Sequence, residues 1–422
     1  MEKVLKMQTA MTAIAVAPST KSFASIIEEE REAFQGLDVA YATRAHDSYI
    51  QKVRLDKIEA ACPLVTSLFN GSGLLFYSDR IYRDMKTGPA PIMLDFSIGL
   101  DKNICENLHC YVKNKSFSKE REMFQLLQLM RGAGAADFNY DFLAYLVEEY
   151  EHMFVPGNER PFNTLYALKV LDHMNADILA SFPRISVDQE THDYALNAAH
   201  ETLAFFLTNG SLAAMQEQRQ VGYLVLLKAL MLHWAGMAAG DALAELVKFC
   251  LHEVGKFPKR EIYFAWKLLG GDGHHYGFFA PAVQRTHASL KRLKGMSWDL
   301  TMLRWAELMS SSQRKHAQGT PDFFVPFVAS TDQKFREMVK ACPLKAIVID
   351  RRNKMLNSVF SDEFQFRICL EESLARADVG FGSAGDQARR HARAVPIDYI
   401  NLMIKKLESE MHAKLPDAPK AK

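Results

Sequence analysis

The chain has 422 residues, 48% of them hydrophobic, and 51 basic against 50 acidic side chains leave a net charge of +1. That length bounds roughly two to three domain-sized units, or one domain carrying an insertion. The balanced charge excludes a protein that is basic as a whole, so any nucleic-acid site has to be a local patch.

In chain order, the first residues have a charged start and a short Ala-rich stretch too weak for a signal peptide. Residues 21–60 read as helix. Ser22 precedes FASIIEEEREAF with acids in its early turns, and QKVRLDKIEAACPLV reads as a second helix ending near Pro63. Asn70-Gly71-Ser72-Gly73 is a loop, residues 86–89 are a turn, and residues 91–101 form an extended apolar run. Helical spacing marks 118–130 and 140–154, split by the Gly-Ala loop at 132–135. Amphipathic segments follow at 161–182, 189–208, 220–239 and 241–254. A further helix spans 258–269, where Pro258 suits a helix start because its missing N–H is not needed there. Strand signals return only at 323–331 and 345–350, and a last helix covers 396–414.

The expected fold class is therefore α/β, a small parallel sheet inside a large helical shell. The most apolar segment, 222–240, holds Lys228 and His233 near its middle. It falls short of the ~18–20 uncharged residues a membrane span needs, so no membrane partner is expected. Six scattered cysteines without a CxxC pair read as reduced thiols in a cytoplasmic protein.

Three acids share one context. Asp101 ends the first apolar run and Asp332 ends FFVPFVAST, each leading straight into a helical stretch. Asp299 is expected to begin the helix DLTMLRWAELM. In an open α/β sheet, sites form at the carboxyl ends of parallel strands, which would put Asp101 and Asp332 on one rim with Asp299 facing them. Two unit charges at ~4 Å repel by about 4 kcal/mol at an effective dielectric of about 20. Such a cluster needs protons or a cation, and Mg2+ or Mn2+ prefers oxygen ligands. Taken singly, an Asp after a strand is also a good turn former or helix cap.

In these motifs the chain resembles the PIN-domain nucleases. Leu100-Asp101-Lys102-Asn103 looks like the family's first element, an apolar strand ending in Asp-x-Asn. Trp298-Asp299-Leu300 looks like its helix-opening Asp, and Ser330-Thr331-Asp332 like its Thr-Asp strand end. Lys102 departs from the pattern, since a small hydroxyl residue is usual there. The gap between Asp299 and Asp332 is also longer than usual. The resemblance implies a PIN-like parallel sheet in a core at 89–350, interrupted by a helical insertion at about 180–255. Flanking it are a helical N-terminal region, 1–88, and a C-terminal extension, 351–422, with the final helix.

By the same resemblance, Asp101, Asp299 and Asp332 would hold the metal, with a Glu as further ligand. Glu148 and Glu261 are equal candidates for that Glu. Phe142, Leu146, Tyr150 and Met153 share a helix face, which puts Glu149 beside it and Glu148 away from it, and Glu149 ranks behind the other two. Asn103 would fix the loop or meet a phosphate, and Asp95 lies on the same strand face as Asp101. Basic residues near the motifs include Arg285, Lys291, Arg292, Lys294, Arg304, Arg314, Lys315, Lys334, Arg336, Arg351 and Arg352. Together they form a candidate rim for single-stranded nucleic acid, with Thr331, Arg304 and Lys334 as substrate contacts. A solvated helix face is the plainer account of the same residues.

The adjacent histidines His274 and His275 lack partners at zinc spacing, and no phosphate-binding Gly motif is present. The function expected is a metal-dependent endonuclease, with single-stranded RNA favoured by family analogy. A toxin or defence role, a homo-oligomer or an inhibitory protein partner rests on that analogy as well. The alternative is a catalytically inactive PIN-like scaffold that binds nucleic acid or protein.

Overall fold

The computed structural model describes residues 2–18, 21–43, 53–88, 90–131, 138–174, 177–270, 277–312, 320–376 and 395–415. The chain divides into two compact units. One comprises Thr9–Gln216 with Trp305–Val359, and the other comprises Met1–Gln8, Glu217–Arg304 and Phe360–Lys422.

The first unit is α/β and holds two sheets. Five strands, β1 (Asp38–Thr43), β2 (Val53–Arg54), β4 (Gly73–Tyr77), β8 (Leu344–Asp350) and β9 (Met355–Phe360), run in the order β2-β4-β1-β8-β9. β1 pairs antiparallel with both β4 and β8. The other sheet has the order β3-β7-β5-β6, from β3 (Val65–Ser67), β5 (Leu94–Leu100), β6 (Tyr140–Asp141) and β7 (Phe323–Ala329). Here β5 runs parallel to β6 and β7, while β3 is antiparallel to β7.

The single parallel sheet expected from the sequence is thus corrected to two small sheets, one of them antiparallel. Among the described residues, parallel strand pairing joins β5 to β6 and β7, with one further isolated parallel bridge between Phe69 and Leu344. The overlooked strands explain the difference. The expected helix over 21–60 resolves into Phe23–Glu29, Arg31–Phe34 and Leu55–Ala61, with β1 between them. Ser22 does cap the first helix, accepting from the Ser25 amide at 3.1 Å. Gly36 at φ +83 then turns the chain into β1. β1 and β4 are buried along nearly their whole length, so DVAYAT and GLLFY carry no in–out alternation to read. Burial against neighbouring strands overrides local helix propensity there.

β7 is buried at every residue although it contains Pro326. β3 pairs only with Phe327, Val328 and Ala329, so Pro326 lies where that flank has no ladder to break. The loop at Gly71 is fixed more tightly. Gly71 sits at φ +132, and a Cβ there would stand 2.6 Å from the Thr43 carbonyl oxygen of β1. Gly71→Ala is therefore expected to destabilise the protein by roughly 2 kcal/mol or more, read as a lowered denaturation midpoint. An unchanged midpoint would contradict the close approach.

The second unit is helical, apart from the end of β9. It includes Ala239–Phe249, Lys259–Leu269, Glu363–Arg376 and Ile397–His412. Tyr263 stacks on Phe360 at 3.7 Å and donates its hydroxyl to Asp362 at 2.6 Å. Lys259 pairs with the buried Glu363 at 2.7 Å, and Arg219 lies over the Trp298 ring at 4.2 Å. Pro258 takes the capping position of its helix, as its missing N–H allows. The helix bearing Asp299 runs from Ser289 to Met309. Asp299 is therefore half-buried well inside it rather than at its start, because the helix continues upstream through LKRLKGMS in spite of Gly295. Among the described residues no helix is long and apolar enough to cross a membrane, and none of the six cysteines forms a disulfide.

Candidate functional site

The register of β5 and β7 builds the site. They pair from Leu94 with Phe323 through to Leu100 with Ala329, and the Asp101 amide donates to the Ala329 carbonyl at 3.1 Å. Two segments remote in sequence therefore leave the sheet at one rim. Each turns at once into a helix, Lys102–Val112 from β5 and Gln333–Ala341 from β7. Asp101 caps the first, accepting from the Ile104 amide at 2.7 Å, and Asp332 caps the second, accepting from the Lys334 amide at 2.8 Å.

Ser330 joins the two acids. Its hydroxyl donates to Asp101 Oδ2, 229 positions away, and accepts from the Asp332 amide at 2.9 Å. Asn103, the second residue of the helix that Asp101 caps, adds to the groups that favour the Asp101 carboxylate. Burial nevertheless pushes the Asp101 carboxyl up to about 6, assisted by the nearby negative charge of Asp332 and opposed by the Ser330 and Ile104 hydrogen bonds. Asp332 itself is exposed.

A second group of acids reaches the same rim from the β6 side. Gly99 of β5 pairs with Asp141 of β6. Asp141 accepts from the Leu143 amide at 2.8 Å and from the Trp305 ring N–H at 3.1 Å. The helix Leu143–Glu149 follows, with Glu149 buried and Glu148 half-buried. The Lys102 ammonium lies between them, in direct contact with Glu149 Oε1 and 3.7 Å from Glu148 Oε1. Burial pushes Glu148 up to about 7; Lys102 opposes the shift, and Glu149 and Asp101 add to it.

That elevation has a sign that can be measured. The folded protein holds the Glu148 proton more tightly than the unfolded chain, so stability falls as pH rises from about 4.5 to about 7. Glu148→Gln is expected to flatten the stability profile across that window and to raise stability at pH 7.5. Denaturant unfolding across the window checks this, and an unaltered slope would contradict it.

Among the described residues no group of three or more His, Cys, Asp or Glu stands ready to hold a metal ion. The donors at the rim are all oxygens, the type a hard divalent cation selects. In this arrangement Ser330, backbone amides and the Lys102 ammonium hold them.

The other expected site residues are placed differently. Glu261 is buried in the helical unit, its Oε1 accepting from Arg304 Nη1 at 3.0 Å. Arg304, expected at a phosphate rim, is thus committed to a carboxylate. Asp299 belongs to the helical unit too. The Thr331 carbonyl accepts from Lys119 Nζ at 2.9 Å, and the Lys334 side chain is exposed. Arg336 donates to the Ser330 carbonyl. Asp95, buried in β5, accepts from the adjacent Phe96 amide at 2.8 Å.

The single basic rim does not form as expected. Arg351 and Arg352 line a cleft with Asp322 and Phe323, at the start of β7, whereas Asp332 follows its end. Seven strand residues put these ends roughly 20 Å apart. Arg314, Lys315, His274 and His275 lie outside the described residues.

Sequence reasoning overlooked Ser330 as the bridge, Asp141, and Lys102 as the partner of both glutamates. Ser330 was readable, since a Ser two residues before a capping Asp commonly binds local backbone. Asp141 was not, because a two-residue strand leaves no pattern. Comparison of the chain with protein-family models, with curated proteins and with solved structures returns no match.

Proposed function

We propose that the protein is a divalent-metal-dependent endonuclease of PIN-like type that acts on single-stranded RNA. The observation that supports it is the parallel register of β5 and β7, which sets Asp101 and Asp332 on one strand rim, joined by Ser330. Glu148 stands near enough for its charge and that of Asp101 to affect one another. Carboxyls raised by burial are the groups a cation would relieve, and Mg2+ or Mn2+ suits their oxygen chemistry.

Asp101, Asp332 and Glu148 would hold the ion by exchanging the Ser330, backbone-amide and Lys102 contacts they make here, and the ion would supply an activated water and a polarised phosphoryl oxygen. In-line attack would leave a 5′-phosphate and a 3′-hydroxyl. In this reading Ser330 and Asn103 orient Asp101, and the exposed Lys334 meets the phosphate backbone. Asp299 and Glu261 enter through the family resemblance alone, as do RNA over DNA and a toxin or defence role.

One observation favours a second reading, a PIN-like scaffold without catalysis. The Lys102 ammonium already lies between Glu148 and Glu149 and offsets one of their two charges, and so takes the place of a cation. Incubation with end-labelled single-stranded RNA separates the two readings. The nuclease reading expects 5′-phosphorylated products with Mn2+ and none with EDTA. Intact RNA under both conditions would refute it and leave the scaffold.

A further inference from the structure

The cleft at the start of β7 is a site of its own, remote from the acidic rim. It encloses about 470 Å³, within the range of small-molecule pockets, and four guanidiniums face three carboxylates there. Two of the four are structural. Arg80 pairs with Asp322 at 2.6 Å and with Asp84 at 3.0 Å. Arg351 pairs with Asp38 and donates to the Asp322 carbonyl at 2.7 Å. Asp79 is occupied as well, accepting from the Tyr77 hydroxyl at 3.0 Å and the Gly36 amide at 2.9 Å.

The other two guanidiniums are unspent. Arg83 donates its Nε–H to the Asp79 carbonyl at 3.1 Å, and among the described residues its terminal nitrogens meet no carboxylate. Arg352, in the turn between β8 and β9, pairs with no acid among the described residues. Both are exposed, so they stand ready without the desolvation that burial imposes. A guanidinium fork matches the oxygens of a phosphate group two at a time, and two forks match a dianion better than a carboxylate. The volume exceeds that of phosphate alone.

We propose that this cleft binds a small phosphate monoester of nucleotide size, its phosphate held by Arg83 and Arg352. The paired groups Arg80–Asp322 and Arg351–Asp38 form the walls, and Arg83 and Arg352 outweigh the remaining carboxylate, Asp79, so the lining carries a net charge of +1.

Calorimetric titration of the full chain with AMP, adenosine and inorganic phosphate tests this. AMP is expected to bind, inorganic phosphate to compete with it more weakly, and adenosine to give no heat. Phosphate binding as tightly as AMP would reduce the site to a free-anion site and overturn the monoester assignment. The double variant R83A/R352A is expected to weaken AMP binding by roughly tenfold or more, while Asp332→Asn leaves it unchanged. R352A alone, a change in an exposed turn, serves if the double variant folds poorly. No AMP heat up to about 10 mM, equal binding by wild type and variants, or equal binding of adenosine would overturn the proposal.

Discussion

Asp332→Asn is expected to reduce Mn2+-dependent RNA cleavage at least a hundredfold, roughly 3 kcal/mol of transition-state stabilisation, while leaving the fold intact. The separation of the two effects follows from the geometry. Asp332 caps its helix through one carboxylate oxygen, which accepts from the amides of Lys334 and Phe335 at 2.8 and 3.3 Å. An Asn side chain caps as well as Asp does, so helix and strand end should survive the change. It carries no charge, however, and so offers a hard cation a poorer ligand. Single-turnover cleavage with matched unfolding curves gives the readout. Cleavage equal to wild type would remove Asp332 from the site, and a collapsed unfolding midpoint would assign it a structural role.

Lys102→Met is expected to have the largest effect on stability of any change at the rim. Its ammonium is the partner of Glu149, whose side chain is 2% exposed, and the variant would strand that carboxylate. Breaking a buried pair from one side costs roughly 3–5 kcal/mol. Lys102 itself is 24% exposed, so water softens the loss and the lower end of that range is expected. The two functional readings then part. If the rim is a metal site, Mn2+ replaces the missing positive charge, and the variant gains more stability from Mn2+ than wild type does. If it is a scaffold, Mn2+ stabilises neither protein. Denaturant midpoints with and without Mn2+ decide between them, and no destabilisation in metal-free buffer would contradict the ion pair.

The parts of the site legible in the sequence are those where chemistry and position coincide. FFVPFVAST is too apolar for an exposed element and stops on a carboxylate, and LDFSIGLD does the same. Strand ends of that kind, each followed by a helix, placed Asp101 and Asp332 on one rim, where β5 and β7 bring them. Helical phase set Glu149 beside the apolar face and Glu148 away from it; Glu149 is buried, and Glu148 is half-buried rather than turned to solvent.

Legibility ended where burial erased the pattern. β1 and β4 are covered on both faces, so the antiparallel sheet left no periodic signal and its first strand lay inside an expected helix. Asp299 looked like a helix start because the apolar residues of DLTMLRWAELM fit one buried face, but the helix begins at Ser289. The basic residues formed one cluster only in sequence order. The sheet sends Arg351 and Arg352 to the far end of β7, next to Asp322. The pairing of Lys102 with two glutamates was equally invisible, since it depends on β6 lying beside β5.

Direct Mn2+ binding is the sharpest test, because it reads the cation without needing the right substrate. Titration followed by electron paramagnetic resonance is expected to show saturable binding to wild type. The double variant D101N/D332N should bind at least tenfold more weakly, a loss of roughly 1.4 kcal/mol or more. Matching Mn2+ affinities for the two folded proteins, or no binding by either, would contradict a shared cation at the strand rim.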